Sequence, residues 1–424
     1  MAPSTITLII LAAAVILWAL QIFPIAVTSI FAVIALMVTG VITPEVAVGS
    51  FSNHVCWLIF GSGIMAAALF ETGVANKLGD SIMKCKPLIR SERVFLVVII
   101  AASSVMSIFV ANIPVVALFM PIVAAVAAAS NGRIEKKTVY MSIGFAATIG
   151  GNGSLIGSSI NMTANALIAE TEGVRSLTMF ECLPETIVMI AVLLLYYGTV
   201  GYNIQKKVFD FPEIQDSATA GNTVEFKPVK AAISIITFAV CIVGFVANLY
   251  SFGTIALFGA AVVVATKCIS WKTALQKVDW TTIITLATVL VLANAINSTG
   301  AGEIIANQVI ALFGGDNASP LLLLAAAVIL SAILGCFMQH NAVVAVLIPI
   351  FMQVALTVGA NPIAFAVAIV CCNNICFLTP IGTGPVTMTL SAGYRFTDYT
   401  KAGAIPFVVM IVLAIVTIPL FYGL

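Results

Sequence analysis

Apolar segments long enough to cross a lipid bilayer follow one another along almost the whole chain. A helix that spans the hydrocarbon core needs about 20 predominantly apolar residues. Only 8% of the residues are charged, against about 25% in soluble globular domains. The sequence therefore predicts an all-α polytopic membrane protein and excludes an ordinary soluble enzyme. The predicted segments are 5–22, 24–42, 56–71, 94–110, 114–130, 138–170 (interrupted), 185–205, 229–248, 252–270, 281–297, 320–337, 342–357, 362–392 (interrupted) and 402–424.

Three further features narrow the class of protein. The first apolar stretch, Ile6 to Leu20, has no basic run before it, so we expect a transmembrane helix there rather than a cleaved signal peptide. The nine cysteines lie mostly in apolar segments without metal-ligand spacing, which favours packing as small apolar side chains over a metal or redox role. The net charge of +1 predicts no nucleic-acid partner. No cofactor is expected.

The two halves of the chain resemble each other. The segment SSVMSIFVANIPVVALFMPI (103–122) aligns without a gap to SAILGCFMQHNAVVAVLIPI (331–350), at an offset of 228 residues. The short run SLIGSS (154–159) returns as TPIGTG (379–384), at an offset of 225 residues. Landmarks that recur in the same order indicate an internal duplication. We therefore predict a first repeat at 1–205, a cytoplasmic connector at 206–228 and a second repeat at 229–424.

The distribution of Lys and Arg predicts the orientation of the chain, because cytoplasmic loops are enriched in these residues. With the N-terminus outside, 17 of the 18 Lys and Arg residues fall on the cytoplasmic side and only Arg175 falls outside. Each half contains five predicted crossings and one hairpin that returns to its starting side. Because this number of crossings is odd, the second repeat is predicted to be inverted, and both termini are expected outside.

An inverted repeat with one interrupted helix per half is typical of secondary transporters, which bind substrate near the bilayer midplane. Parity leaves open whether each hairpin is re-entrant or crosses fully, because both return the chain to the same side. Hairpin arms of about 17 residues lie at the lower margin for a full crossing. We expect re-entrant hairpins.

Both interrupted segments carry Gly, Asn and a hydroxyl residue (Ser in the first, Thr in the second) where a spanning helix would be regular: GGNGSLIGSSIN at 150–161 and NNICFLTPIGTGP at 373–385. In hydrocarbon, an irregular backbone persists only where protein or a water-filled cavity satisfies its polar groups. A single break more often reflects packing or a kink, but a repeated break favours binding. Freed carbonyls and hydroxyls suit a cation, and the N-terminus of the following half-helix suits an anion.

All 17 Asp and Glu residues lie near segment ends or in loops. The sequence therefore predicts no carboxylate at the midplane that would relay protons or neutralise a cationic substrate. A site built from neutral dipoles and helix ends favours an anionic substrate. Any coordinated cation would be held by carbonyl, amide and hydroxyl oxygens, which suit a hard ion such as sodium.

The hairpins and broken helices, together with the segments at 16–42 and 57–83, resemble the divalent anion/sodium symporter family of the ion-transporter superfamily. The resemblance covers nearly the whole chain. It implies an elevator-type transporter, in which hairpins and broken helices move against a fixed scaffold. It further implies a homodimer in the cytoplasmic membrane, with sodium as the coupling ion.

The family carries a Ser-Asn-Thr motif at each hairpin tip, which helps to hold sodium and substrate carboxylates. The tips here are Ala111-Asn112-Ile113 and Gln339-His340-Asn341, so only Asn112 matches and both threonines are replaced. The family's further sodium-site hydroxyl is present as Ser107, but its second-half equivalent is Gly335. The resemblance places a first sodium site at Ser107, Asn112, Gly151 and Asn152, and a second at Gln339, His340 and Asn374.

The same resemblance predicts a substrate site between the tips and the breaks, with Asn112, Ser154, Gly157, Ser158, Asn161, His340, Asn341, Thr379, Gly382, Thr383 and Pro385 as its residues. His340 is an intramembrane ionisable group and so a functional candidate. Protonated, it would supply the charge of a second sodium, since the unperturbed pKa of histidine is near 6.5. Neutral, it would close the tip by hydrogen bonds. The sequence leaves both alternatives open.

The predicted function is secondary active transport of a small anion of the di- or tricarboxylate class, coupled to sodium with a proton as the alternative. An uncoupled anion exchanger or channel, or a transporter of an inorganic oxyanion such as sulfate, is the alternative interpretation. An enzyme is not expected, because the predicted segments place no paired carboxylates and no nucleophile with its base at membrane depth.

Overall fold

The computed structural model describes residues 2–20, 22–74, 77, 91–130, 132–212, 226–313, 315 and 319–424. Throughout these ranges the chain consists of helices and their connections, without a β-strand, which confirms the predicted all-α class. Lys84, Lys86 and Arg90, which were counted for the orientation, lie outside the described residues, as does most of the predicted connector at 206–228.

Nine helices in the described part of the chain are long and apolar enough to cross a membrane. They coincide with predicted segments, which confirms the polytopic pattern. These helices are Pro3–Leu20, Pro44–Glu71, Glu92–Phe109, Leu183–Val208, Pro228–Val246, Trp280–Ser298, Pro320–Phe337, His340–Thr357 and Phe396–Tyr422. Shorter helices are Ile25–Val38, Asn112–Ala129, Lys136–Gly150, Ser159–Ala169, Phe252–Ala265, Trp271–Lys277, Ala301–Leu312, Pro362–Asn373 and Gly384–Met388.

Polar residues begin several of these helices by capping them. The side chain of Asn53 accepts from the backbone N–H of Val55 at the start of His54–Glu71. Asp279 caps Trp280–Ser298 in the same way, and Asn361 caps Pro362–Asn373, whose first residue is a proline. A side-chain oxygen at this position satisfies one of the free N–H groups of the first turn, so the capping residues help to fix where these three helices begin.

Two helical hairpins form where the sequence predicts them. The first hairpin joins Glu92–Phe109 to Asn112–Ala129 through two residues, and the second joins Pro320–Phe337 to His340–Thr357, also through two residues. In both turns the linking residues have extended backbone angles. Each hairpin tip therefore presents the N-terminus of its second helix, at Asn112 and at His340.

Two broken helices follow the hairpins and confirm the predicted interruptions. The first broken helix runs from Lys136 to Gly150, passes through a 3₁₀ turn and an irregular segment, and resumes at Ser159–Ala169. The second runs through Pro362–Asn373 and resumes as the short helix Gly384–Met388. Ser154, Ser158 and Thr383 have extended backbone angles, so the interruption is a change of backbone conformation rather than a kink.

The hairpins and broken helices pack against one another in a reciprocal pattern. Both arms of each hairpin contact the first part of the broken helix that follows it in sequence. The second part of each broken helix contacts the other hairpin: Ser159–Ala169 lies against His340–Thr357, and Gly384–Met388 lies against Asn112–Ala129. This exchange brings both tips and both breaks into one region.

A second group of helices packs in close pairs. His54–Glu71 lies along Phe252–Ala265, and Trp280–Ser298 lies along Ile25–Val38. In the first pair Gly61 is pressed onto the backbone of Ala256, because a Cβ on Gly61 would lie 2.4 Å from the Ala256 carbonyl carbon. Small residues allow membrane helices to approach this closely.

A cluster of charged residues links the start of the first hairpin to neighbouring helices. Glu92 pairs with Lys206 (2.8 Å) and accepts from the backbone N–H of Glu135 (2.8 Å) and from the Tyr202 hydroxyl (2.8 Å). Lys206 also pairs with the Glu135 carboxylate at 3.0 Å. The start of the hairpin, the start of the first broken helix and the end of Leu183–Val208 are thereby joined.

Candidate functional site

A cavity of about 1920 Å³ lies between the two groups of helices. Both hairpin tips and both breaks line one side of it, and Ile25–Val38, His54–Glu71 and Trp280–Ser298 contribute to the other side. The charged residues of its lining are Glu71, Lys136, Lys277 and Asp279, which lie at the ends of helices or between them. The lining near the tips is neutral apart from the ionisable ring of His340.

At the first tip, the buried side chain of Asn112 ties the hairpin to the first break. With its amide nitrogen turned towards the first break, this side chain lies within hydrogen-bond distance of the Gly157 carbonyl (3.1 Å), the Ser107 hydroxyl (2.7 Å) and the Ala147 carbonyl (3.1 Å), which share its two hydrogens. Gly151 packs directly on this amide, since a Cβ there would lie 2.1 Å from the Asn112 side chain. The structure thus brings together three of the four residues predicted for the first sodium site.

Backbone oxygens converge in the first break. The amide nitrogen of Asn161 donates to the carbonyls of Gly151 (3.0 Å), Asn152 (3.3 Å) and Ser154 (2.7 Å). An amide nitrogen has two hydrogens, so these three carbonyls share them. The side-chain oxygen of Asn161 is buried and has no hydrogen-bond partner. Unsatisfied buried oxygens of this kind call for a further donor or a cation.

At the second tip, the buried ring of His340 faces two carbonyl oxygens. Its Nδ1 lies 3.1 Å from the side-chain oxygen of Asn374, and its Nε2 lies 3.2 Å from the Gly335 carbonyl. The His340 carbonyl accepts from the amide nitrogen of Asn373 at 2.9 Å. Gly382 packs on this contact, since a Cβ there would lie 2.0 Å from the Gly335 carbonyl oxygen and 3.3 Å from Nε2 of His340.

A chain of hydrogen bonds joins the second tip to the first break. The amide of Asn374 donates to the side-chain oxygen of Asn152, and the amide of Asn152 donates to the Cys371 carbonyl at 3.2 Å. Together with the two contacts of His340, four hydrogen-bond positions, called links here, connect the Cys371 carbonyl at one end to the Gly335 carbonyl at the other. Two amides and a neutral imidazole supply one donor each along such a chain, which leaves one link without a hydrogen. A doubly protonated ring would fill all four.

Contacts of the two halves match at several positions. Ser154 donates through its hydroxyl to the Ile108 carbonyl, and Thr379 donates to the Cys336 carbonyl. A Cβ on Gly157 would lie 2.6 Å from the Ser107 carbonyl oxygen, and one on Gly382 would lie 2.0 Å from the Gly335 carbonyl oxygen. The equivalence ends where Asn112 and Ser107 of the first half are replaced by His340 and Gly335.

The remaining predicted site residues lie around the cavity. Ser158 precedes the half-helix Ser159–Ala169 and is buried, and Asn341 accepts a hydrogen bond from the Thr163 hydroxyl at 3.4 Å. Among the predicted site residues of the second half, those that line the cavity with polar side chains are Gln339, His340, Asn341 and Thr383. Pro385 lies in the first turn of Gly384–Met388 and also lines it.

The first tip presents an apolar surface to the same cavity. Ile113 is 53% exposed and Ile381 is 44% exposed, and both line the cavity. The end of the Ile113 side chain lies against Gly384, where a Cβ would be 3.0 Å from the Ile113 Cδ1. An exposed apolar side chain therefore occupies the tip position at which the family that this chain resembles carries threonine.

Two residues of the site region were missed by sequence reasoning. Asn373 donates to the His340 carbonyl, and its own side-chain oxygen is buried without a partner. Adjacent asparagines at the start of the second break were a signal that could have identified it. No sequence signal could have identified the Cys371 carbonyl. It accepts a hydrogen bond from Asn152, which is 219 residues away in sequence.

Among the described residues, no group of three or more His, Cys, Asp or Glu side chains is arranged to hold a metal. A transition-metal centre prefers such ligands, whereas the oxygens gathered at the first break suit sodium.

Comparison with known proteins identifies relatives over most of the chain. A family model described as a citrate transporter (CitMHS) matches residues 15–368. An uncharacterized transporter from Haemophilus influenzae is 25% identical over 414 residues, which cover 93% of this chain and 87% of that protein. The sodium-dependent dicarboxylate transporter SdcS from Staphylococcus aureus is 23% identical over 412 residues, covering 89% of this chain and 78% of SdcS.

Two solved transporter structures have the same fold. The YdaH transporter from Alcanivorax borkumensis superposes with a TM-score of 0.68 at 13% identity, covering 100% of this chain and 98% of that chain. MtrF from Neisseria gonorrhoeae superposes with a TM-score of 0.60 at 13% identity, covering 98% of this chain and 95% of that chain. At this identity the likeness concerns the fold alone.

Proposed function

The chain belongs to the citrate transporter family, whose model spans residues 15–368, and we propose that it is a secondary active transporter of a small carboxylate anion. The substrate class is a di- or tricarboxylate, and the coupling ion is sodium. The observation that carries this proposal is the cavity lined by two hairpin tips and two helix breaks. Transporter substrates bind where discontinuous helices meet near the midplane.

An anion fits the electrostatics of this cavity. Its acidic lining residues, Glu71 and Asp279, lie at the end and at the start of their helices. Near the tips the lining offers amide and hydroxyl groups on Asn341, Ser158 and Thr383. The start of Ser159–Ala169 adds the positive end of a helix dipole. The name of the relative SdcS supports a dicarboxylate as substrate.

Sodium fits the oxygens of the first break. The residues that would hold it are Ser107, Asn112, Gly151 and Asn152, with Asn161 beside them. The donor set is neutral oxygen, which suits a hard monovalent cation. The partnerless side-chain oxygen of Asn161 supports a cation in this region. A bound sodium would supply the positive charge that attracts a substrate carboxylate.

A proton is the alternative coupling ion at the second tip. Gln339, His340 and Asn374 are the proposed residues of the second site, and the four-link chain through His340 lacks one hydrogen when the ring is neutral. The protonated ring would complete the chain and stand in for a second sodium. Sodium-driven, pH-independent transport retained in His340→Asn would contradict this alternative.

The proposed mechanism is elevator-type alternating access by two inverted repeats, 1–205 and 229–424, in a homodimer. The reciprocal packing of hairpins and broken helices and the matched contacts of Ser154 and Thr379 support the repeat. We place the protein in the cytoplasmic membrane with both termini outside. Lys136 and Lys277, which line the cavity, then lie on the cytoplasmic side, so the cavity opens inward.

The first experiment is the melting temperature of the purified protein with succinate, malate, citrate, sulfate or phosphate, each in sodium and in potassium at two pH values. A ligand that binds only the folded state raises stability by about 2.7 kcal/mol at a concentration of 100 times its Kd. Stabilisation by a carboxylate only in sodium is expected. Stabilisation by sulfate alone would assign an inorganic oxyanion instead.

Uptake into proteoliposomes tests the coupling. Succinate accumulation that follows an imposed sodium gradient, and collapses without it, is expected. Uptake that does not depend on any imposed ion gradient would indicate an uncoupled exchanger or channel and contradict the proposal.

A further inference from the structure

Glu185 is a carboxyl group buried inside the helical bundle and away from the cavity. It is the third residue of Leu183–Tyr196, the first part of the spanning helix Leu183–Val208, and its side chain is 0% exposed. Sequence reasoning placed it at a segment end, where a carboxylate is usually hydrated. Its Oε1 atom has no hydrogen-bond partner, and none of the ion pairs among the described residues includes it.

The hydrogen bonds of Glu185 fit the neutral acid better than the carboxylate. The Thr417 hydroxyl oxygen lies 2.7 Å from Glu185 Oε2 and 2.8 Å from the Leu413 carbonyl. One hydroxyl has one hydrogen, so it cannot satisfy a carboxylate and this carbonyl together. A proton on Oε2 resolves the conflict, because Glu185 then donates to Thr417 and Thr417 donates to Leu413.

Two helix ends near Glu185 act in opposite directions on a negative charge, because the start of its own helix carries partial positive charge and favours one. A glutamate in the first helical turn often bonds the free backbone N–H groups, but no side-chain cap bond is present at the start of Leu183–Tyr196. Cys371 and Cys372 are near Glu185 at the end of Pro362–Asn373. A helix C-terminus carries partial negative charge and disfavours a nearby anion.

The ionisable groups around Glu185 supply no counter-charge. The segment just before its helix contributes Cys182 and Glu181. The packed helices contribute the thiols of Cys371 and Cys372 and the phenol of Tyr422. Glu181 is paired with Arg175. The charged residues of the other packed helices lie at the starts of those helices: Lys136 and Lys137 in Lys136–Gly150, Glu92 and Arg93 in Glu92–Phe109, and Asp398 and Lys401 in Phe396–Tyr422.

We propose that Glu185 is a proton-binding site of the transporter, occupied in the state described here, and that its ionisation sets the pH dependence of transport. Ionisation would act on the substrate site through the end of Pro362–Asn373, because the Cys371 carbonyl in that helix accepts from Asn152. The role in transport rests on the proposed function, whereas the protonated state rests on the contacts of Glu185 alone.

The variant Glu185→Gln tests the site, since the amide has the shape of the neutral acid and never ionises. The melting temperatures of the variant and the wild type are compared from pH 5.5 to 8.5. The difference in favour of Glu185→Gln is expected to grow with pH while the unfolded chain is ionised and folded Glu185 keeps its proton, and to level off once the folded acid ionises. The control Glu181→Gln changes a carboxylate that is already ionised over this range, so its difference from wild type should stay constant.

Succinate uptake in proteoliposomes tests the consequence for transport. Once Glu185 ionises, the wild-type rate is expected to fall by up to about tenfold per pH unit, the factor for a single titrating group. Glu185→Gln should lose this component, and Glu185→Asp should restore it with a shifted midpoint. Identical pH profiles of wild type and Glu185→Gln, in melting and in uptake, would overturn the proposal.

Two further measurements distinguish proton binding at Glu185 from the proposed transport function. A pH-dependent melting difference without uptake or binding of any anion would support the proton site and contradict the transport function. Should Glu185→Gln fail to fold, Thr417→Val removes the acceptor of the acid proton. Its melting profile is then expected to shift its midpoint to lower pH, and an unchanged or higher midpoint would overturn the proposal.

Discussion

Asn374, in the second break, donates a hydrogen bond from its side-chain amide to the side-chain oxygen of Asn152, in the first break. These residues are 222 positions apart in sequence, and both side chains are fully buried. The same Asn374 amide contacts the ring of His340 through its oxygen. The two breaks are therefore joined to each other and to the second tip by one side chain.

Replacing Asn374 by Ala should destabilise the protein by about 1–3 kcal/mol, the cost of leaving buried polar groups unsatisfied. The side-chain oxygen of Asn152 and Nδ1 of His340 would both lose a partner. Denaturant unfolding or the melting temperature measures the change. Asn297→Ala is the control, since Asn297 makes an exposed bond to the Glu170 carbonyl, and a surface change of this kind costs within about 0.5 kcal/mol. Equal effects of both variants would contradict the prediction.

Gly382→Ala should separate the second break from the second hairpin tip. The new Cβ would lie 2.0 Å from the Gly335 carbonyl oxygen and 3.3 Å from Nε2 of His340, so the break must move away from the hairpin. We expect a loss of about 1–3 kcal/mol in stability from overpacking, and at least about a tenfold fall in succinate uptake, the factor that 1.4 kcal/mol represents. Gly49→Ala meets nothing within 4 Å and should leave uptake unchanged. Unimpaired uptake in Gly382→Ala would place the functional site elsewhere.

Ser107→Ala tests the first sodium site. Removing a ligand hydroxyl costs about 1.5–3 kcal/mol when the partner is charged, so the sodium concentration needed for half-maximal stabilisation should rise about 10- to 100-fold. Ser103→Ala is the matched control, because that buried hydroxyl bonds only the Ile100 carbonyl of its own helix. A sodium response that is equally strong in both variants would exclude Ser107 as a ligand.

The loop between Ser159–Ala169 and Leu183–Tyr196 contains an ion pair with a defined pH dependence. Arg175 binds Glu181 at 2.8 Å and lowers the pKa of that carboxyl to about 2. A lowered pKa adds stability above the unfolded pKa of about 4.3, and this contribution disappears as the pH falls from about 4.5 towards 2. Because the Arg175 side chain is 56% exposed, the pair is worth about 0.5–1 kcal/mol. Arg175→Gln should therefore lower the melting temperature at pH 7, and this effect should shrink gradually below about pH 4.5 and be largely lost at about pH 2. A deficit that persists in full at about pH 2 would show that Arg175 acts through packing rather than charge.

Sequence alone predicts the helices, hairpins and breaks, because hydrophobic length and clusters of Gly, Ser and Pro act locally. It does not predict the chain from His340 through Asn374 to Asn152, since that contact depends on how distant helices pack. The burial of Glu185 could not be predicted from sequence for the same reason. Its place near a segment end suggested hydration, but neighbouring helices cover that end and bury the carboxyl completely. The contact between Ile113 and Gly384 likewise joins residues that are remote in sequence.

Ile113→Thr tests how the first tip selects its substrate. The family that this chain resembles has threonine at this position, and Ile113 is exposed to the cavity. A threonine there adds one hydroxyl donor for a carboxylate, and a hydrogen bond to a charged group contributes about 1.5–3 kcal/mol. The Kd for succinate in sodium is therefore expected to fall about tenfold in a titration of melting temperature. Ile113→Val is the matched control, because valine has the shape of threonine without the hydroxyl. Tightening by both variants would attribute the effect to the size of the side chain, and no tightening by Ile113→Thr would show that the first tip does not contact a substrate carboxylate.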